Sequence, residues 1–142
     1  RSLGLPLLLL PLYGGVDYLE RIELGLRQIQ TQFQIGRLVF GDLHLEHIRK
    51  WRIEAMAKLS HWKELELYFP LWHRSYKELS EALRASGAEC RISSVVDYRC
   101  KAIMSVGDTY DAQLKARLPE EIDEFGERGE FHTRIEPPPM RP

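Results

Sequence analysis

The chain is short of the features that most quickly assign a function. Its 142 residues hold two cysteines, Cys90 and Cys100, ten positions apart. That spacing matches no zinc pattern, and two thiols do not make a disulfide framework. Buried thiols in a reducing compartment, the cytoplasm or an organelle interior, are the expectation. The formal net charge is −1, which gives no global attraction to nucleic acid or anionic lipid. The apolar run over residues 3–12 is well short of the roughly 20 residues that a spanning helix needs. Neither a nucleic acid nor a membrane is therefore expected as a partner. No internal repeat is present, and no Ser–His–Asp or Cys–His arrangement stands out by spacing. Gly14-Gly15 lacks the following Lys or Ser of a phosphate-binding loop.

What is there fits one domain, or one domain with a small appendage. Hydrophobic residues make up 44% of the chain, enough for a core, and 29% charged residues cover its surface. The start carries Arg1 and an apolar run that imitates a signal-peptide core. Pro6 and Pro11 bracket Leu7-Leu8-Leu9-Leu10, which suits a short buried strand. With no Met at its head, the chain reads as entered partway through a domain, a signal peptide being the alternative.

Further along, Asp17 can cap a helix whose apolar face is Leu19, Ile22, Leu26, Ile29 and Phe33, stopped by Gly36. Leu38-Val39-Phe40 reads as a compact strand closed by Gly41-Asp42. Residues 45–59 carry a second helical stripe. Leu65, Leu67 and Phe69 alternate as a strand toward Pro70. Ser75 and Glu78 form a capping box, and Gly87 is placed to end that helix. Residues 92–96 predict a strand, 110–118 a short helix. Residues 137–139 are three prolines in an extended tail. Strands alternating with helices predict a mostly parallel sheet covered on both faces, and such sheets bind ligands beyond the carboxyl ends of their strands. Asp42 stands at one such end. It can cap the following helix, contact a ligand, or do both.

The most informative run is Gly126-Glu127-Arg128-Gly129-Glu130-Phe131-His132-Thr133. It packs two carboxylates, an imidazole and a hydroxyl among two glycines. Gly opens backbone angles closed to other residues, and amides in such a turn can approach an anion. Glu127 and Glu130 can orient an amine or take a proton. The bland alternative is a solvated turn before a last strand. His44 and His47 share a helix face, but no third metal ligand is fixed by the sequence, and no metal site is expected. Arg49, Lys50 and Arg52 read as a solvated face in preference to arms reaching phosphates. Trp51, Trp62 and Trp72 read as packing anchors.

Three segments together resemble the diphthine–ammonia ligase family of the adenine-nucleotide alpha-hydrolase (ATP pyrophosphatase) superfamily. They are Val39-Phe40-Gly41-Asp42-Leu43-His44-Leu45-Glu46-His47-Ile48-Arg49, Phe69-Pro70-Leu71-Trp72 with residues 75–83 behind it, and residues 126–133. The last is similar to the family's Gly-Glu-(Gly/Asn)-Gly-Glu-(Phe/Tyr) signature and is the most specific. Gly4-Leu5-Pro6-Leu7-Leu8 is similar to the family's third strand. The resemblance runs from near Arg1 to about Ile135.

The resemblance implies an α/β fold: a partial, doubly wound parallel sheet of HUP-like, Rossmann-like type with a smaller C-terminal α/β substrate domain. Residues 1–74 would be the rear half of the nucleotide-binding domain, 75–136 the substrate domain, and 137–142 a Pro-rich tail. Intact members use ATP and Mg to adenylylate a carboxylate, which ammonia then attacks to give an amide, AMP and pyrophosphate. Glu127, Glu130 and Asp42 would be the catalytic residues. Gly126, Gly129, His132, Thr133 and Gly41 would bind substrate. The family's Ser-Gly-Gly-Lys-Asp-Ser loop is absent from these residues, and Arg128 replaces a small or amide residue of the signature. The expectation is therefore a truncated or degenerate relative, inactive as this chain alone and holding no cofactor by itself. The alternative is a non-catalytic structural subunit that kept the fold. A protein partner or self-association covering an open sheet edge is expected in either case.

Overall fold

The computed structural model describes residues 5–11, 13–15, 17–62 and 64–136. These divide into two compact units, the first ending at His73 and the second starting at Arg74. Expectations placed on residues 1–4 and 137–142 lie outside the described residues.

The first unit contains α1 (Tyr18–Gln30), β1 (Arg37–Val39), α2 (Glu46–Ala57), a 3-10 turn (Ser60–Trp62) and β2 (Glu66–Tyr68). Asp17 caps α1, accepting the Glu20 amide at 2.9 Å. The helix stops at Thr31, earlier than the apolar stripe predicts. The Thr31 hydroxyl donates to the Gln28 carbonyl at 2.7 Å, offering the backbone an alternative to another helical turn. Phe33 is left half-exposed beyond it. β1 and β2 pair in parallel, with Leu38 opposite Leu67. Their inward side chains pack on a core of Leu26, Met56, Leu59 and Trp62.

The Leu7–Leu10 strand does not form. Residues 5–11 take no regular structure, and Leu5, Leu7 and Leu9 are exposed. Pro6 and Pro11 supply no amide donors to a ladder. Leu10 instead packs over Gly25 of α1, where a Cβ would come within 2.5 Å of its Cδ1.

The second unit runs α3 (Tyr76–Ser86), β3 (Glu89–Val95), α4 (Tyr98–Lys101), α5 (Ala112–Lys115) and β4 (Phe131–Glu136). The capping box of Ser75 and Glu78 opens α3, and Gly87 closes it at φ +67°. The helix expected over 110–118 shrinks to four residues because Asp111 accepts the Gln113 and Leu114 amides and so starts it late. Tyr110 falls before it, its amide donating to the Cys90 carbonyl at 2.7 Å. β3 and β4 are antiparallel, with a bulge between Ile92 and Ser94. Their core is Ile92, Cys100, Met104, Leu114, Ile122 and Phe131.

The fold is thus mixed α/β. In place of one mostly parallel sheet there are two separate two-stranded sheets, one parallel and one antiparallel. Alternation of strands with helices reports local order but not pairing. The segment between β3 and β4 is long enough for a crossover, but it folds into turns and two short helices and returns β4 antiparallel to β3. Among the described residues, no helix is long and apolar enough to cross a membrane.

Asp97 carries a pH dependence. It caps α4, accepting the Arg99 amide at 2.8 Å and the Arg99 guanidinium at 2.8 and 3.0 Å. Those hydrogen bonds hold its carboxyl down at about 2, against an ordinary 3.8. The unfolded chain therefore takes up this proton first. The stabilisation is complete above about pH 4 and is lost as pH falls toward 2. Urea midpoints of the wild type and Asp97→Asn should differ by a constant amount above pH 4 and converge near pH 2. A gap that stays constant down to pH 2 would contradict the assignment.

Candidate functional site

The glycine-rich turn of the second unit is organised around Asp123. Its Oδ1 accepts the amides of Phe125 (2.8 Å) and Glu127 (3.3 Å). Its Oδ2 accepts the Tyr76 hydroxyl at 2.5 Å. Its carbonyl accepts the Gly126 amide, and the Gly126 carbonyl accepts the Gly129 amide. Glu130 closes the loop from the other side. Oε1 takes the Asp123 amide at 3.0 Å and Oε2 the Arg128 amide at 3.1 Å. The Glu130 carbonyl takes the amides of Val96 and Asp97, both at 2.9 Å, tying the turn to the end of β3.

Each signature residue therefore has a physical task. Gly126 is buried at φ +67°, with space for no side chain: a Cβ would sit 2.6 Å from the Phe131 carbonyl oxygen. Gly129 is at φ +83° but faces open space. Phe131 is 1% exposed and anchors the turn in the core. Glu130 is a buried brace, 7% exposed. The amides of residues 125–129 all donate inside the turn, so they support its shape instead of standing open to an oxyanion.

Beside the turn lies a cleft of about 690 Å³ lined by Tyr76, Lys115, Glu120, Asp123, Glu124 and Arg128. Burial, then the bond to Asp123, then the charges of Asp123 and Glu127 push the Tyr76 phenol well above its ordinary range, with Arg128 opposing. Tyr76 is thus a fixed neutral donor at any physiological pH. Burial pulls Lys115 down. The Glu124 carboxylate paired with it acts in the opposite sense, and direct contact makes the charged pair the better description. Lys115 also donates to the Ser80 hydroxyl at 2.9 Å.

His132 and Thr133 follow on β4, both exposed, opposite Ser94 and Ile92. Burial raises the Cys90 thiol, which Thr133 partly offsets by hydrogen bonding.

In the first unit, Gly41 is exposed just past β1. Asp42 does not cap α2. The N-cap is Leu45, three residues later, and no side chain bonds there. Asp42 instead accepts the Arg52 Nε at 2.8 Å, with only 13% of its side chain exposed. Burial works against the Arg52 charge, but hydrogen bonds to Asp42 and Tyr18 hold its pKa above the ordinary value. His44 is half-buried and His47 exposed. Among the described residues no group of three His, Cys, Asp or Glu could hold a metal ion.

The structure thus gathers Gly126, Glu127, Gly129 and Glu130 into one turn, sets His132 and Thr133 on the next strand, and places Gly41 and Asp42 in the other unit. Sequence reasoning missed Tyr76 and Asp123. Tyr76 directly follows the capping Ser75, and Asp123 lies among the four acidic side chains of residues 120–124 with nothing local to set it apart. No family model matches the chain, and no curated protein matches it at a significant level.

Proposed function

We propose that these residues are part of an ATP-dependent carboxylate–ammonia ligase of the diphthine–ammonia ligase type, and that the 142 residues alone do not turn ATP over. One observation carries the reading: the Gly-Glu-x-Gly-Glu-Phe run folds as a braced turn in which Gly126, Gly129, Glu130 and Phe131 all serve shape. Glu127 is the half-buried carboxylate of the turn, and it is the one to which we assign the chemistry. It lies close enough to act on the Tyr76 phenol. Glu127 would hold an ammonium ion and take the proton shed as ammonia is delivered to the activated carboxylate, whose adenylate leaves as AMP. Tyr76, its proton given to Asp123, would offer its phenol oxygen as an acceptor to a substrate donor. The parallel β1–β2 pair, joined through α2, is consistent with part of a Rossmann-like, HUP-like sheet.

A triphosphate needs several cationic or amide donors. Within the first unit Arg52 is already committed to Asp42, and no lysine-bearing phosphate loop occurs in the sequence. The residues present fit part of an ATP site only. Calorimetric titration of the chain with ATP–Mg should show no micromolar binding; such binding would overturn the reading. In a polypeptide that also supplies the phosphate loop, Glu127→Gln should lower ammonia-dependent AMP release about a hundredfold or more while ATP affinity holds. Unchanged turnover would remove Glu127 from the mechanism.

One observation favours the second reading, a non-catalytic interaction subunit. β1 and β2 pair only with each other among the described residues. An isolated pair of three-residue strands is marginal in water, so further strands or a protein partner would complete it.

A further inference from the structure

Arg49, in the first turn of α2, is clamped between two rings. Its guanidinium carbon lies 5.1 Å from the Phe69 centroid and 5.0 Å from that of Trp72. Its Nε is buried and makes no hydrogen bond. Among the described residues no carboxylate pairs with it. Glu46, in the same turn, points its Oε1 at the His73 Nε2 instead, 3.3 Å away. The other cations nearby are occupied: Arg52 by Asp42 at 2.8 Å, Lys50 by Glu54 at 3.8 Å. A half-buried guanidinium without a counter-charge is costly, and contact with rings recovers only part of that cost.

The clamp sits just past the carboxyl ends of the parallel strands. Phe40 follows β1 and Phe69 follows β2, and their rings stack at 5.3 Å. Trp72 stacks in turn on His73 at 4.8 Å. His73 holds φ +58°, the one left-handed non-glycine among the described residues. Its amide is fixed to the Leu43 carbonyl at 2.8 Å. Backbone strain of this kind persists only where surrounding contacts hold it. Here they hold the ring that orients Arg49.

We propose that Arg49 is an oxyanion-binding residue, and that with Phe69 and Trp72 it forms a subsite for a phosphoryl or carboxylate group at the ends of β1 and β2. A guanidinium packed against two rings set at 69° to each other can still present its terminal N–H groups to a bidentate partner, and both groups offer two oxygens at the matching spacing. Side chains of a helix lean toward its N-terminus. The positive end of the α2 dipole, which no side chain caps, adds attraction for the same charge. The subsite lies within the first unit and does not depend on the ligase reading.

Nitrogen-15 NMR of the chain tests it, because burial of the Arg49 Nε–H should slow its exchange with water. Inorganic phosphate and acetate are titrated separately against sodium chloride of equal ionic strength. The Arg49 Nε–H and Trp72 indole resonances should move with at least one oxyanion and saturate in roughly the millimolar range. Movement with phosphate alone assigns the subsite to phosphoryl groups, with acetate alone to carboxylates, and with both to either. Arg49→Lys, which keeps charge but not the fork, should weaken binding about fivefold, and Arg49→Met about tenfold or more. No movement beyond chloride, or an unchanged Trp72 response in Arg49→Met, overturns the proposal.

Discussion

Gly126→Ala is expected to destabilise the second unit by about 3 kcal/mol, whereas Gly129→Ala should cost about 1 kcal/mol. Both glycines hold a positive φ, +67° and +83°, so both substitutions carry the left-handed penalty of a Cβ. The difference comes from what that Cβ meets. At Gly129 it enters open space. At Gly126 it lands 2.6 Å from the Phe131 backbone oxygen. That oxygen cannot rotate away, because Phe131 begins β4 and its ring is 1% exposed in the core. Relief would need β4 to shift against β3, which would disturb the Val95–Phe131 pairing. Urea denaturation of the two variants checks this. Equal losses would show that strain, not collision, dominates at both positions.

The asymmetry also shows how much of the turn was legible beforehand. Two glycines bracketing an acid announce left-handed backbone, and that much follows from the absence of a Cβ. Which glycine is also sterically indispensable depends on where β4 starts, and no local pattern carries that. The capping boxes and caps were readable for the same local reason. Asp17, and Ser75 with Glu78, act on amides three residues away, a range that the sequence itself spans. Pairing was not readable. Leu7–Leu10 is as apolar as any strand, yet two prolines deny it a ladder and α1 offers Leu10 a glycine to rest on. Sheet membership of β4 was equally hidden, because antiparallel return depends on the shape of a 35-residue excursion between Val95 and Phe131.

The functional residues divide in the same way. Glu127 and Glu130 look interchangeable in sequence, but Glu130 is buried and braces the turn, whereas Glu127 is half-buried. Asp42 looked like a cap or a free ligand; its partner, Arg52, is ten residues away on the next helix and had been read as a solvated cation. Arg49 shared that charged run. Its ring partners come from the segment after β2, a relation that only the parallel pairing of β1 with β2 creates.

Glu130→Gln should cost the second unit about 3 kcal/mol, while Glu127→Gln should cost clearly less, about 1 kcal/mol or under. The Glu130 carboxylate accepts two amides, one on each oxygen, at 3.0 and 3.1 Å, and is 7% exposed. Hydrogen bonds to a buried charge contribute about 1.5–3 kcal/mol each. A glutamine can satisfy one of the two amides through its oxygen. Its NH2 must then face the other N–H, two donors with no acceptor between them. Glu130→Ala removes both acceptors and should be at least as damaging. The amides of residues 125–129 donate to Asp123, Gly126 and Glu130, so substitution of Glu127 leaves that bracing in place and should change chemistry far more than the unfolding midpoint. Denaturation of the chain, paired with turnover of a polypeptide that also supplies the phosphate loop, separates the roles. A Glu130→Gln variant that unfolds at the wild-type urea midpoint yet loses turnover would make Glu130 a reacting acid and not a brace. A Glu127→Gln variant that loses as much stability as Glu130→Gln would move the bracing role to Glu127 and leave the turn without a carboxylate for chemistry.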